Sequence, residues 1–139
     1  MKKILFLCTG NSCRSQMAEA VLNRIGAGRF EAVSAGSKPA GFVHPLALRL
    51  LRETGYPVDG LRSKSLEEFR GSRFDAVITV CDRAREACPV WPGAEMAHWS
   101  FEDPAQAAGT DEQKLVVFRR IFSEIQQRLR LYIALSAKE

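Results

Sequence analysis

Near the start of the chain a cysteine and an arginine frame a short polar loop, Cys8-Thr9-Gly10-Asn11-Ser12-Cys13-Arg14-Ser15, directly after the apolar run Ile4-Leu5-Phe6-Leu7. A thiol, a glycine, small polar residues and then an arginine have the makings of an anion cradle that carries its own nucleophile. Successive backbone N–H groups in such a loop can point inward, and the first turn of a following helix adds unpaired donors and the positive end of its dipole. A tetrahedral oxyanion fits those donors, so the expected oxyanion-binding set is Thr9, Gly10, Asn11, Ser12, Cys13, Arg14 and Ser15. The planar fork of Arg14 can take two oxygens at once. The same positive field is expected to lower the pKa of Cys8 and populate its thiolate, with a hydrogen bond from Ser15 to hold it. A buried strand-end thiol followed by a surface arginine would give the same spacing. What favours chemistry is the context, a strand-like run before the loop and a segment of helical periodicity, Ser15 to Leu22, after it.

The elements that must position this loop alternate between strand and helix. Met17, Ala18, Val21, Leu22 and Ile25 share one helical face, and Gly26 and Gly28 end that helix. Phe30 to Ser34 reads as a second strand, closed by Ala35-Gly36. His44-Pro45 opens a helix carrying Leu46, Leu50 and Leu51 until Thr54-Gly55, and Ser65 with Glu68 forms a capping box for a short helix through Phe69. Phe74 to Val80 is an apolar, β-branched strand with Cys81 at its end; a helical stretch from Asp82 to Cys88 follows, broken by Pro89. A fourth strand lies around Met96 to His98. Thr110 with Gln113 caps a last helix striped by Phe118, Ile121, Phe122, Ile125, Leu129, Tyr132 and Ile133. This alternation predicts an α/β fold, a three-layer sandwich around a central four-stranded parallel sheet. Functional groups in such folds gather at the C-terminal ends of the strands, where Cys8, Cys81 and the loop bearing Asp103 all fall.

Composition bounds the function. The 139 residues, 46% apolar and 26% charged, suit one soluble domain over 1–139. Net charge is +4 with a pI near 9.1, a bias that suits attraction of oxyanions or an acidic partner. No basic run is interleaved with aromatics, which argues against nucleic-acid binding. Met1-Lys2-Lys3 imitates the opening of an export signal, but the apolar run stops too soon, and no stretch approaches the roughly 20 apolar residues of a membrane span. A cytoplasmic monomer is expected. Four cysteines in such a chain read as reactive thiols rather than a disulfide framework. They include no CxxC pair, and His44 and His98 stand apart, so neither a metal nor a cofactor is expected.

A thiolate acting on an oxyanion needs an acid for the departing oxygen. Asp103, followed by Pro104, is the candidate, although an aspartate before a proline equally suits a helix N-cap. Cys81 and Cys88 bear on the reaction class. A phosphatase needs one cysteine, an arginine and an acid. A reductase of arsenate, the close mimic of phosphate, needs a second thiol to attack Cys8 and a third to carry the disulfide outward. Seven residues of helix would hold the Cα atoms of Cys81 and Cys88 about 10 Å apart at about 1.5 Å rise per residue. A disulfide wants less than about 7 Å, so the intervening segment has to unwind.

The stretch CTGNSCRS resembles the phosphate-binding loop of the low-molecular-weight protein tyrosine phosphatase fold, a superfamily that includes the thioredoxin-coupled arsenate reductases. With CTGNSCRSQMAEA, VSAG, the Cys81 and Cys88 pair and HWSFEDPA taken together, the chain resembles those reductases over nearly its whole length. The resemblance implies Cys8 as nucleophile, Arg14 and the loop amides as oxyanion ligands, Asp103 as general acid, and Cys81 then Cys88 as relay thiols, with arsenate as substrate and thioredoxin as reductant. Cys13 is then structural, or a partner of Cys8 in oxidative side reactions. Some members hold a potassium ion with ligands matching Asn11, Glu19 and Ser34 plus an aspartate where this chain has Ser65. The missing carboxylate argues against that ion, and the neighbouring Lys64 is a candidate for its positive charge.

Overall fold

Four apolar residues in a row leave a strand no polar face to offer water, so a strand made of Ile4 to Leu7 must be covered on both sides. In the structure, a computed structural model, these four side chains are at most 1% exposed. The structure describes residues 1–81, 88 and 91–136; apart from Cys88, the helix expected from Asp82 and its break at Pro89 lie outside the described residues. Strands β1 (Lys2–Cys8), β2 (Phe30–Gly36), β3 (Ala76–Thr79) and β4 (Glu95–His98) form one parallel sheet in the order β2-β1-β3-β4. Helices α1 (Arg14–Ile25), α2 (Pro45–Glu53) and α3 (Asp111–Ser136) pack against one another and the sheet. Two 3-10 turns, Leu66–Phe69 and Pro104–Gln106, complete the elements among the described residues. The α/β architecture expected from the alternation is the one observed.

Local signals account for the boundaries. Pro45 opens α2, and the His44 ring caps it by accepting from the Leu46 amide at 3.1 Å. The capping box before α3 closes both ways: Thr110 N donates to Gln113 Oε1 at 2.8 Å, and Gln113 N to Thr110 Oγ1 at 3.2 Å. The box expected at Ser65 closes one way only. Ser65 Oγ accepts from Glu67 N at 3.1 Å, while the Glu68 carboxylate turns to Arg62 at 3.0 Å, because a cation within reach outbids a backbone amide. Strand β3 is shorter than the apolar run that predicts it. Pairing nevertheless continues past its ends, from Asp75 N to Lys3 O at 2.8 Å and from Val80 N to Leu7 O at 2.9 Å.

Register decides where the site lies. Cys8 stands opposite Gly36, Leu7 opposite Thr79, and Thr79 opposite His98, so all four strands finish on the same edge. Among the described residues no helix is long and apolar enough to cross a membrane.

Candidate active site

Between the end of β1 at Cys8 and the start of α1 at Arg14 the chain makes a tight loop with every carbonyl turned outward. Thr9 O accepts from Lys38 N at 2.9 Å, Gly10 O from Ala40 N at 2.8 Å, Ser12 O from His44 N at 3.0 Å and Cys13 O from Met17 N at 2.9 Å. Asn11 O accepts from the Gln16 side chain at 3.0 Å. In a planar peptide the N–H opposes the C=O, so the amides of Gly10 through Arg14 are left on the inner side. A row of inward amides has the geometry of an anion nest, and the segment from Lys38 to His44 holds the carbonyls away from it.

Asn11 is the pivot of the loop. Its φ of 50° is, among the described residues, the one positive value outside glycine, a conformation asparagine tolerates best. Its amide is fully used. Nδ2 donates to Ser15 Oγ at 2.8 Å and Ser34 Oγ at 2.9 Å, and Oδ1 accepts from Lys64 N at 2.9 Å and Gln16 Nε2 at 3.0 Å. The side chains of Asn11 and Ser15 are wholly buried and hold the loop's shape, while the backbone amides of the loop face inward. Ser15 Oγ accepts from Asn11 Nδ2, which leaves its own O–H to donate.

Gly36 makes the close approach possible. A Cβ there would lie 2.5 Å from Thr9 O and 3.1 Å from Asn11 Cβ. We expect Gly36→Ala to force the loop off β2, costing about 1–3 kcal/mol. Thermal unfolding with and without phosphate checks this; an unchanged phosphate-induced shift in Tm would show that the loop does not depend on this contact.

The cavity over the loop, about 570 Å³, is lined from the loop side by Cys8, Thr9, Gly10, Ser12, Cys13 and Arg14. Cys81, Asp103 and Gln106 close it from the other strands. Arg14, 9% exposed, is clamped by one corner: Nη1 donates to Phe101 O at 3.0 Å. That leaves the Nε and Nη2 edge, the one that binds two oxygens at once. Nη2 stands 3.6 Å from Asp103 Oδ2, and the buried Nε has no hydrogen-bond partner among the described residues. A buried donor without an acceptor costs about 1–3 kcal/mol, a debt that a bound oxygen would relieve.

Asp103 is a cap and also lines the cavity. Its Oδ1 caps the turn Pro104–Gln106 by accepting from Ala105 N at 3.0 Å, and its Oδ2 faces the guanidinium across the cavity. Gln106 escaped the sequence reading. A 3-10 turn has about three residues per turn, so a side chain three after Asp103 eclipses it, which is the signal that points there.

Cys81 is buried beside Cys8, in hydrogen-bonding contact with it, and lies 3.3 Å from Thr9 Oγ1. Cys88 is half-buried against the core, and burial pushes its thiol up. All four cysteines stand as thiols. The expected lowering of Cys8 is reversed. The hydrogen bond with Cys81 and then burial push the Cys8 thiol well above the ordinary range, while Arg14 and the Thr9 amide pull the other way. The positive field is present; a second thiol in contact outweighs it. Cys13, pushed up to about 12 by burial, stays protonated at neutral pH.

Asn11, Glu19 and Ser34 come together as the resemblance implies for an ion. They do not fit one here: the Lys64 ammonium stands 3.5 Å from Glu19 Oε1, and no carboxylate is at position 65. Among the described residues no three His, Cys, Asp or Glu side chains gather as metal ligands.

The chain belongs to the low molecular weight phosphotyrosine protein phosphatase family, whose sequence profile matches residues 3–139. Within it, the arsenate reductase of Halalkalibacterium halodurans is 41% identical over 94% of each chain. A solved structure described as an arsenate reductase in the phosphate binding state superposes with a TM-score of 0.82 at 36% identity, over 96% of this chain and 98% of the other. The thioredoxin-dependent arsenate reductase of Corynebacterium glutamicum gives 0.78 at 30% identity; this whole chain matches 64% of that longer one.

Proposed function

We propose that this chain reduces arsenate to arsenite, with Cys8, Cys81 and Cys88 passing the oxidation outward as a disulfide for thioredoxin to reduce. The observation that carries this reading is the position of Cys81, in contact with Cys8 at the floor of the anion cavity. A phosphatase finishes by hydrolysing a cysteine–phosphorus bond and gains nothing from a thiol there. The relatives named as arsenate reductases support the same choice. So does the mouth, where no aromatic side chain lines the cavity among the described residues to grip the ring of a phosphotyrosine.

The loop amides and the Nε and Nη2 edge of Arg14 bind arsenate. Cys8 rests as a thiol; it passes its proton to an oxygen of the entering arsenate, and Arg14 with the Thr9 amide holds the negative charge left on its sulfur. The Cys8 thiolate forms a bond to arsenic, and one oxygen leaves as water with a proton from Asp103. Thr9 Oγ1, on Cys81, supports a thiolate there. Cys81 attacks the Cys8 sulfur, and the electron pair of the sulfur–arsenic bond stays on arsenic, which leaves as arsenite. Cys88 then attacks Cys81, freeing Cys8 and closing a Cys81–Cys88 disulfide. A dithiol reductant returns that disulfide to two thiols, a cycle suited to the reducing cytoplasm.

The test is consumption of NADPH by the purified protein with thioredoxin, thioredoxin reductase and arsenate. Consumption that requires arsenate and stops without Cys8 is the expected result. Turnover with glutaredoxin in place of thioredoxin would change the donor and keep the chemistry. No arsenate-dependent consumption with either would overturn the reading, and phosphate-ester hydrolysis surviving Cys81→Ser would replace it with a phosphatase.

A further inference from the structure

Lys64 is a lysine in an unusual place, 7% exposed beside the loop rather than on the surface. A buried ammonium is costly unless paired, and this one has two acceptors: Glu19 Oε1 at 3.5 Å and Arg62 O at 3.1 Å. Burial pulls the Lys64 ammonium below the ordinary lysine range while Glu19 pushes it back up. The same Glu19 oxygen accepts from Ser34 Oγ at 2.8 Å, and Ser34 Oγ accepts from Asn11 Nδ2 at 2.9 Å. The ring closes through the backbone, where Lys64 N donates to Asn11 Oδ1 at 2.9 Å. Lys64 thus grips both ends of the Asn11 amide, directly by its own N–H and indirectly by its charge.

We propose that Lys64 is a built-in cation for the oxyanion loop, a positioning residue that keeps Asn11 in its left-handed conformation and makes a bound monovalent ion unnecessary. Glu19 supplies the single negative charge in the ring, and Lys64 neutralises it. A second cation placed there would meet the ammonium at close range with no second carboxylate to offset the repulsion. Ser65 Oγ is occupied elsewhere, capping the turn Leu66–Phe69. The loop needs this anchoring because Asn11 sits in a backbone region that relaxes when its hydrogen bonds are lost, and the amides of the nest on either side move with it.

The proposal rests on reading the loop as an oxyanion cradle, so its test uses inorganic phosphate and not arsenate turnover. Phosphate affinity of the wild type is measured calorimetrically in potassium chloride and in tetramethylammonium chloride at equal ionic strength. The same affinity in both salts is expected. Lys64→Met should weaken phosphate binding about tenfold, the scale found when a residue supporting a ligand's direct contacts is removed. Lys64→Ala, which vacates the space, should weaken it similarly in tetramethylammonium and recover in potassium. Where Lys64→Met leaves Glu19 unpaired and fails to fold, Glu19→Gln with Lys64→Met removes both charges together. Under the proposal that double variant folds and still binds phosphate weakly; full affinity in it would mean the pair is only structural and would overturn the proposal. A potassium-specific gain in the wild type would overturn it too. A wild type that binds no phosphate at all would instead sink the cradle reading on which it stands.

Discussion

Replacing Arg14 by lysine should weaken phosphate and arsenate binding by about 10²-fold or more, the scale found for deleting one preorganised donor aimed at an oxyanion. The charge is conserved, so simple electrostatic attraction predicts almost no effect. The geometry predicts a large one. Arg14 does two things at once: Nη1 is anchored on Phe101 O at 3.0 Å, and the Nε and Nη2 edge is thereby aimed with an unpartnered donor on it. A lysine ammonium can reach the carbonyl or the anion, and it cannot offer two parallel N–H bonds while fixed by a third. Titration calorimetry with phosphate reads the loss directly. An unchanged binding constant in a folded Arg14→Lys would show that the loop amides suffice and that Arg14 only attracts.

The second large effect belongs to Cys88→Ser. Three of the four thiols remain, including the pair in contact. The variant should release one equivalent of arsenite and then stop, with Cys8 and Cys81 joined in a disulfide, while steady-state turnover falls by about 10³-fold or more, as when a reacting nucleophile is deleted. Thiol counting and peptide mapping identify the trapped bond. Sustained turnover with thioredoxin would mean that the reductant attacks the Cys8–Cys81 disulfide itself, and the order of the relay would be wrong. Cys81→Ser separates the steps differently. It should release no arsenite, because the sulfur–arsenic bond then has no thiol to break it.

Much of the fold was legible because its signals are local. The apolar run Ile4 to Leu7, the proline opening α2 and the reciprocal Thr110 and Gln113 cap each depend on residues a few positions apart, and each appears where expected. The loop between Cys8 and Arg14 was legible for the same reason. What was not legible depends on residues distant in the chain. That the Asn11 side chain is the loop's internal anchor cannot be read until Ser34 and Lys64 are brought beside it. The ordinary logic of a positive cradle lowers Cys8 until Cys81, from the far end of another strand, is placed in contact and reverses the direction. The need for glycine at position 36 arises because the loop folds back over β2.

The strand order has a consequence for how the protein is made. Cys8 precedes β2, β3 and β4 in the chain, but β1 lies inside the sheet between β2 and β3, and Thr9 and the Cys81 it touches are 72 residues apart. A growing chain that has not yet produced β3 has nothing to lay along that side of β1, and pairings of such long separation form late. Cys8, 3% exposed once folded, therefore passes through synthesis as an open thiol. Its shielding from alkylating reagents then becomes a timer for the arrival of the second half of the molecule.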